Sequence, residues 1–267
     1  MRATYTTLAS IVAILALAYL LWGGEAGLVH DFAPELATEI LGILITLVFV
    51  QRIIDRRAQE DRARASRGGV RRSEDPLRDL ADLWTEIIRG CLEHAPARPP
   101  RTYLELLGPE WSAAIDDCDL TRVRYGWSDE TWAESAARVI SRARDQISGI
   151  LDVYGVHLNA HFIEVLDEIR DDPFLAHVET LGEQLRIARE LFPDEVEPED
   201  YAINRTSDVR KDFIGILSKT ICLYNETAQE YVPVSELPEG FWSPDRSPDP
   251  GTLRRGSPVP EPPQSSV

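Results

Sequence analysis

The chain has 267 residues, 43% of them apolar, and a formal net charge of -17. Residues 73 to 267 carry 19 Lys+Arg against 38 Asp+Glu, so phosphate backbones are repelled and no nucleic acid is expected as a partner. Cys91, Cys118 and Cys222 stand far apart with no CxxC spacing, and neither a zinc site nor a disulfide is expected.

Residues 6–22, TTLASIVAILALAYLLW, are apolar for long enough to cross a bilayer if Tyr5 and Trp22 take the two interfaces. The competing reading is a signal peptide, but Arg2 is the only charge ahead of the run and Gly24-Glu25-Ala26 is a loose cleavage pattern, so a retained span is expected. The segment GGEAGLVHDFAP then has no Lys or Arg, as suits a translocated loop of a short antiparallel hairpin.

The second predicted span covers residues 35–54, about 30 Å of helix at 1.5 Å per residue. Between Leu36 and Gln51 its one ionisable side chain is Glu39. Arginines follow at once: residues 51 to 72 hold eight Arg and three acids, which assigns this flank to the cytoplasm. Arg52, Arg56, Arg57, Arg62 and Arg64 are expected against anionic lipid headgroups. The prediction is therefore a multi-pass protein of the cell membrane with both termini cytoplasmic. Thr38, Gly42 and Thr46 recur every four residues and let another helix approach closely, either from the Ala9, Ala13, Ala16 face of the first span or from a second copy in a homo-oligomer. Glu39 precedes Gly42 and Thr46 by three and seven residues. It is turned toward this ridge, as a possible intramembrane polar site.

This half of the hairpin, read through Glu35, Leu36, Thr38, Glu39, Gly42, Ile43, Thr46, Arg56 and Arg57, resembles uncharacterised bacterial membrane proteins in which such an element precedes a cytoplasmic helical domain. The resemblance covers about the first 70 residues. It implies that architecture and carries no activity.

From Ser73 the pattern is that of soluble amphipathic helices. Ser73 is expected to cap a helix presenting Leu80, Leu83, Trp84, Ile87, Ile88 and Cys91, stopped by Pro96, Pro99 and Pro100. A shorter helix is predicted over 102–117, loosened at Gly108-Pro109. The longest is predicted to start at Ser128, with Trp132, Ala136, Ile140, Ala143 and Ile147 inward and an interruption at Gly155. Further helices are read up to Asp171-Asp172-Pro173, over 174–191, and from Asp208 with Phe213, Leu217, Ile221 and Tyr224 inward. No segment alternates as a strand would, so the fold class is all-α. The organisation read from the sequence is a hairpin over 1–57, a basic linker over 58–72, a helical bundle over 73–232 and a disordered tail over 233–267, where nine of 35 residues are proline. Deleting that tail is expected to leave the thermal midpoint unchanged.

Candidate chemistry is sparse. His157, His161, Glu164 and Glu168 fall at helical spacing and are weak metal-ligand candidates, but HLNAH lacks the glutamate of HExxH and a solvated polar face accounts for the stripe. GxSxG, P-loop, GxGxxG and kinase signatures are absent, so no catalytic residue and no cofactor are assigned. Ser243, Ser247 and Ser257 each precede a proline, and Pro260 with Pro263 makes a minimal PxxP. Three function classes remain in order: a membrane-tethered module that recruits or senses a cytoplasmic protein, a small oligomeric pore or membrane-perturbing effector, and a membrane-anchored enzyme without a recognisable motif.

Overall fold

The computed structural model describes residues 27–124, 129–192, 207–228, 233–243, 246 and 248–254; side chains at 27–38, 40, 41, 44, 117 and 207 are not among those described. The first predicted span and the Ala9, Ala13, Ala16 face lie outside these residues. The chain divides into two units, Met1–Asp61 and Arg62–Val267.

The protein is all-α. Helix α1 runs from Gly27 to Arg72, so the expected translocated loop is helical from Gly27 onward. In the first unit this helix carries eight exposed large apolar side chains between Ile43 and Ile54. At 100° per residue they spread over nearly every side of the helix, not along one stripe. Among the described residues no helix is long and apolar enough to cross a membrane. Part of the predicted second span falls on positions whose side chains are outside the description.

The second unit is a helical bundle built of α2 (Glu74–Cys91), α3 (Tyr103–Leu106), α4 (Pro109–Ser112), α5 (Trp132–Tyr154), α6 (Ala160–Arg170), α7 (Pro173–Leu191) and α8 (Ser207–Thr227), with 3-10 turns at Ala113–Asp117 and Gly155–His157. The last turns of α1 belong to it. Gly69 and Val70 are buried, and a Cβ at Gly69 would stand 2.8 Å from the Cβ of Tyr154. Ser73 does not cap α2: its backbone stays in the right-handed helical region and its Oγ donates to the Val70 carbonyl at 2.7 Å, leaving α1 and α2 separated by one residue.

Capping explains where the other helices begin. Thr131, rather than Ser128, opens α5; its hydroxyl accepts from Glu134 N while the Glu134 carboxylate accepts from Thr131 N, a reciprocal pair that satisfies two orphan donors. Ser128 lies outside the described residues. Asn159 caps α6, and the Asp172 carboxylate caps α7 by accepting from Phe174 N and Leu175 N ahead of Pro173.

Helices α5 and α7 pack most closely, and Gly182 is why. A Cβ there would meet the Ala133 carbonyl at 2.4 Å and the Ala137 Cβ at 2.6 Å, so the two backbones touch where any side chain would hold them apart. The centre of the bundle is an aromatic cluster. Trp84 of α2 meets Phe174 of α7 at 5.2 Å and Phe213 of α8 at 5.7 Å between ring centroids, all three fully buried.

The C-terminal segment corrects the sequence reading. Instead of a disordered tail, the described residues between 233 and 254 form a strap along α2 and the chain that follows it, with Val234, Phe241 and Leu253 buried. Main-chain bonds hold it: Tyr103 N donates to Ser235 O at 3.0 Å, Leu237 N to Arg101 O at 2.9 Å and Leu253 N to Gly90 O at 2.9 Å. Proline costs such a segment little, because a turn-rich strap needs only some of its N–H groups. These apolar side chains anchor it, together with Pro248, which is buried beside Gly90. Residues 255–267, with Ser257, Pro260 and Pro263, and also Ser247 lie outside the described residues.

Candidate functional site

Three surfaces are candidates. The first is the small-residue ridge of α1. Thr46 Oγ1 donates to the Gly42 carbonyl at 2.8 Å, which turns the hydroxyl inward along the helix and leaves its methyl outward. A Cβ at Gly42 would meet nothing within 4 Å, and Glu39, Gly42, Ile43, Thr46 and Leu47 line a shallow groove beside it. The spacing read from the sequence thus does place Glu39 with Gly42 and Thr46 on one face; the Thr38 side chain is not among those described. Below it Arg52, Arg56, Arg57, Arg62 and Arg64 are exposed. Arg56 is 82% exposed even with its Glu60 partner at 3.1 Å, so this stretch presents a polar, positively charged helix surface.

The second surface is a cleft of about 1120 Å³ between α5 and α7. The sequence did not reveal it, because it exists only where Gly182 lets the helices touch and their flanks diverge. Its arginines are already paired across and along the helices. Arg138 chelates Glu130 at 2.9 and 3.0 Å, Arg186 bridges Glu183 and Glu190 at 2.7 Å each, and Arg189 spans from α7 to Glu134 at 3.2 Å. Arg186 holds the Glu183 carboxyl below the usual carboxylate range. A network satisfied in this way can exchange ion pairs with a charged protein surface. Among the described residues, neither histidine nor cysteine lines it.

The third is the strap and the polar stripe it covers on α2. Glu86 accepts from Arg124 at 3.1 Å and from Arg246 at 3.2 Å. Arg89, whose side chain is 2% exposed, donates Nη2 to the Ser243 carbonyl at 2.9 Å, with Asp249 3.7 Å away; burial lowers its pKa. The guanidiniums of Arg89 and Arg246 both lie over the Phe241 ring, at 5.5 and 5.3 Å from its centroid. Tyr103 OH donates to Asp82 Oδ1 at 2.6 Å; burial raises the pKa of both groups, and the bond raises that of the phenol further while lowering the carboxyl's. Under the end of the strap Cys91 and Cys118 come together, although 26 residues separate them in the sequence.

The suspected metal stripe does not form as drawn. The chain breaks at Leu158, so His157 sits in the 3-10 turn before α6 while His161, Glu164 and Glu168 sit on α6. His161 Nδ1 lies 3.4 Å from Glu164, and Glu168 faces Lys219 at 4.0 Å. Among the described residues no three His, Cys, Asp or Glu side chains converge on a metal-sized point.

Fold and surfaces together define an all-helical bundle domain preceded by a long helix with an exposed apolar section. No family model, no curated protein and no solved structure matches the chain.

Proposed function

We propose that this chain is a membrane-tethered interaction module: a two-span hairpin anchors it, Arg52, Arg56, Arg57, Arg62 and Arg64 rest on anionic headgroups, and the acidic bundle recruits or senses a cytoplasmic protein. The observation that carries the reading is the section of α1 from Ile43 to Ile54, apolar on nearly all sides and exposed, with arginines directly after it. Leaving eight such side chains in water forgoes on the order of 10 kcal/mol of burial, which hydrocarbon supplies without any protein partner. The paired charges of the α5–α7 cleft give the partner a polar surface to exchange contacts with.

The protein is expected to remain in the membrane pellet after alkaline extraction. A cysteine introduced at Gly27 is expected to react with an impermeant thiol reagent in intact cells, while Cys222, the exposed native cysteine, stays unlabelled. Release into the alkaline supernatant sinks the anchor, and labelling of Cys222 without Gly27→Cys inverts the topology.

The uncovered Gly42 face favours one second reading, a small oligomeric pore or membrane-perturbing effector assembled through Gly42 and Thr46 with Glu39 beside the seam. On that reading Glu39→Gln preserves membrane insertion but changes ion leak or oligomer size in liposomes. If Glu39→Gln changes neither while Gly42→Leu breaks assembly, the ridge is structural and Glu39 is a bystander.

A further inference from the structure

We propose that Cys91 and Cys118 are a dithiol that oxidises to an intramolecular disulfide, and that the strap residue Leu253 gates the reaction. The pairing follows from main-chain geometry. Leu253 N donates to Gly90 O at 2.9 Å, and Asp119 N donates to Leu253 O at 2.8 Å, so one residue of the strap bridges the two chain segments that carry the cysteines. Cys91 directly follows Gly90, and Cys118 directly precedes Asp119. The two thiols are close enough in this seat for Cys91 to help push the Cys118 thiol up. Both are buried, at 4% and 2% exposure, whereas Cys222 on α8 is exposed.

Burial in this seat holds the Cys118 thiol well above its usual range, so almost no thiolate forms and no oxidant reaches it while the strap is closed. The strap is also the element best suited to open. It is not a helix, it turns through Gly251 at a φ of +85°, and the buried side chains that anchor this end of it are Leu253 and Pro248, both beside Gly90. Local opening of such a segment costs less than unfolding the bundle beneath it.

Hydrogen peroxide is the oxidant class that fits a buried pair, being small and neutral. One thiol loses its proton and the thiolate attacks a peroxide oxygen; the O–O bond breaks, one water leaves and a sulfenic acid remains. The second sulfur then attacks the first, the S–O bond breaks, and a second water leaves as the S–S bond forms. Two thiols have lost two electrons and two protons, and one peroxide has become two waters. The new bond ties the C-terminal end of α2 to the chain after the 3-10 turn, the two surfaces between which the strap is hydrogen-bonded. None of this depends on membrane attachment.

The test uses the full-length chain carrying Cys222→Ser, treated with hydrogen peroxide and mapped by peptide mass. A crosslink between the Cys91 and Cys118 peptides, two hydrogens lighter than the dithiol, is expected. Two variants loosen the gate from opposite sides: Leu253→Ala removes one anchor, and Gly90→Ala places a Cβ 2.7 Å from Leu253 Cγ and so displaces it. Each is expected to speed crosslinking by about tenfold with helicity unchanged, because exposure of the pair tracks the open population. Should Leu253→Ala lose helicity, the rate in Gly90→Ala decides. Equal rates in parent and variant overturn the gate, and two free thiols after treatment in every variant overturn the pair.

Discussion

A chain ending at residue 232 is expected to melt about 6–20 °C below the full-length protein, at roughly 2–4 °C per kcal/mol for a domain of this size. The strap buries Val234, Phe241 and Leu253 almost completely, and each such side chain contributes about 1.5–3 kcal/mol on removal from water. The entropy of ordering an irregular segment offsets part of that sum, leaving about 3–5 kcal/mol. Truncation also uncovers a buried charge. Without Ser243 O and Asp249, Arg89 keeps none of the strap acceptors that face it. Differential scanning calorimetry or circular dichroism melting reads the result, and a midpoint within two or three degrees of the parent would contradict the packing described for the strap.

Substitution Gly182→Ala is expected to destabilise the bundle by about 1–3 kcal/mol, against the helix-propensity trend. In an exposed helical position the same change stabilises by roughly 0.5–1 kcal/mol. At Gly182 the added Cβ falls 2.4 Å from the Ala133 carbonyl oxygen and 2.6 Å from the Ala137 Cβ; both obstacles are backbone or the shortest of side chains, so α5 and α7 must separate. Gly149 in α5 and Gly215 in α8 supply the control, since a Cβ at either meets nothing within 4 Å. Alanine at those two positions is expected to raise the urea midpoint while Gly182→Ala lowers it. Three changes of the same sign would show that the α5–α7 approach is not set by Gly182.

The polar cleft flanks this crossing, so the same variant bears on function. If the α5–α7 surface takes a partner, spreading the helices alters Arg189–Glu134, the ion pair that spans them at 3.2 Å. A part-buried pair of this kind, near the surface, contributes modestly to stability but fixes which charges face outward.

Periodicity carried much of this architecture in plain view. The inward residues Leu80, Trp84, Ile87, Ile140, Ile147, Phe213, Leu217 and Tyr224 are all buried, because an amphipathic helix has one face to bury whatever it packs against. Helix ends were less legible. Ser73 and Ser128 both looked like caps, yet Ser73 bonds backward to Val70 and Thr131 opens α5, since a cap depends on backbone geometry that many Ser and Thr positions could adopt. The apolar run of α1 and the arginines after it were equally plain, being contiguous in sequence.

What the chain order could not disclose is whatever depends on residues far apart in it. Composition spoke for disorder after residue 233, and composition averages over anchors such as Val234, Phe241 and Leu253, whose worth lies in the pockets that α2 and the 98–124 segment present to them. Buried arginines were equally hidden. Arg210 is 1% exposed, with Asp116 its partner at 2.5 Å, and nothing local marks it as interior. The supposed His157–His161 stripe failed for the opposite reason, because helical spacing was assumed across a break at Leu158. Local side-chain patterns thus settled which segments are helical and which face each one hides. Only the closing of the bundle decided that Cys91 lies by Cys118, that Gly182 joins two helices and that the described residues between 233 and 254 form a strap, because each of those is a contact between surfaces that exist only after the helices have packed.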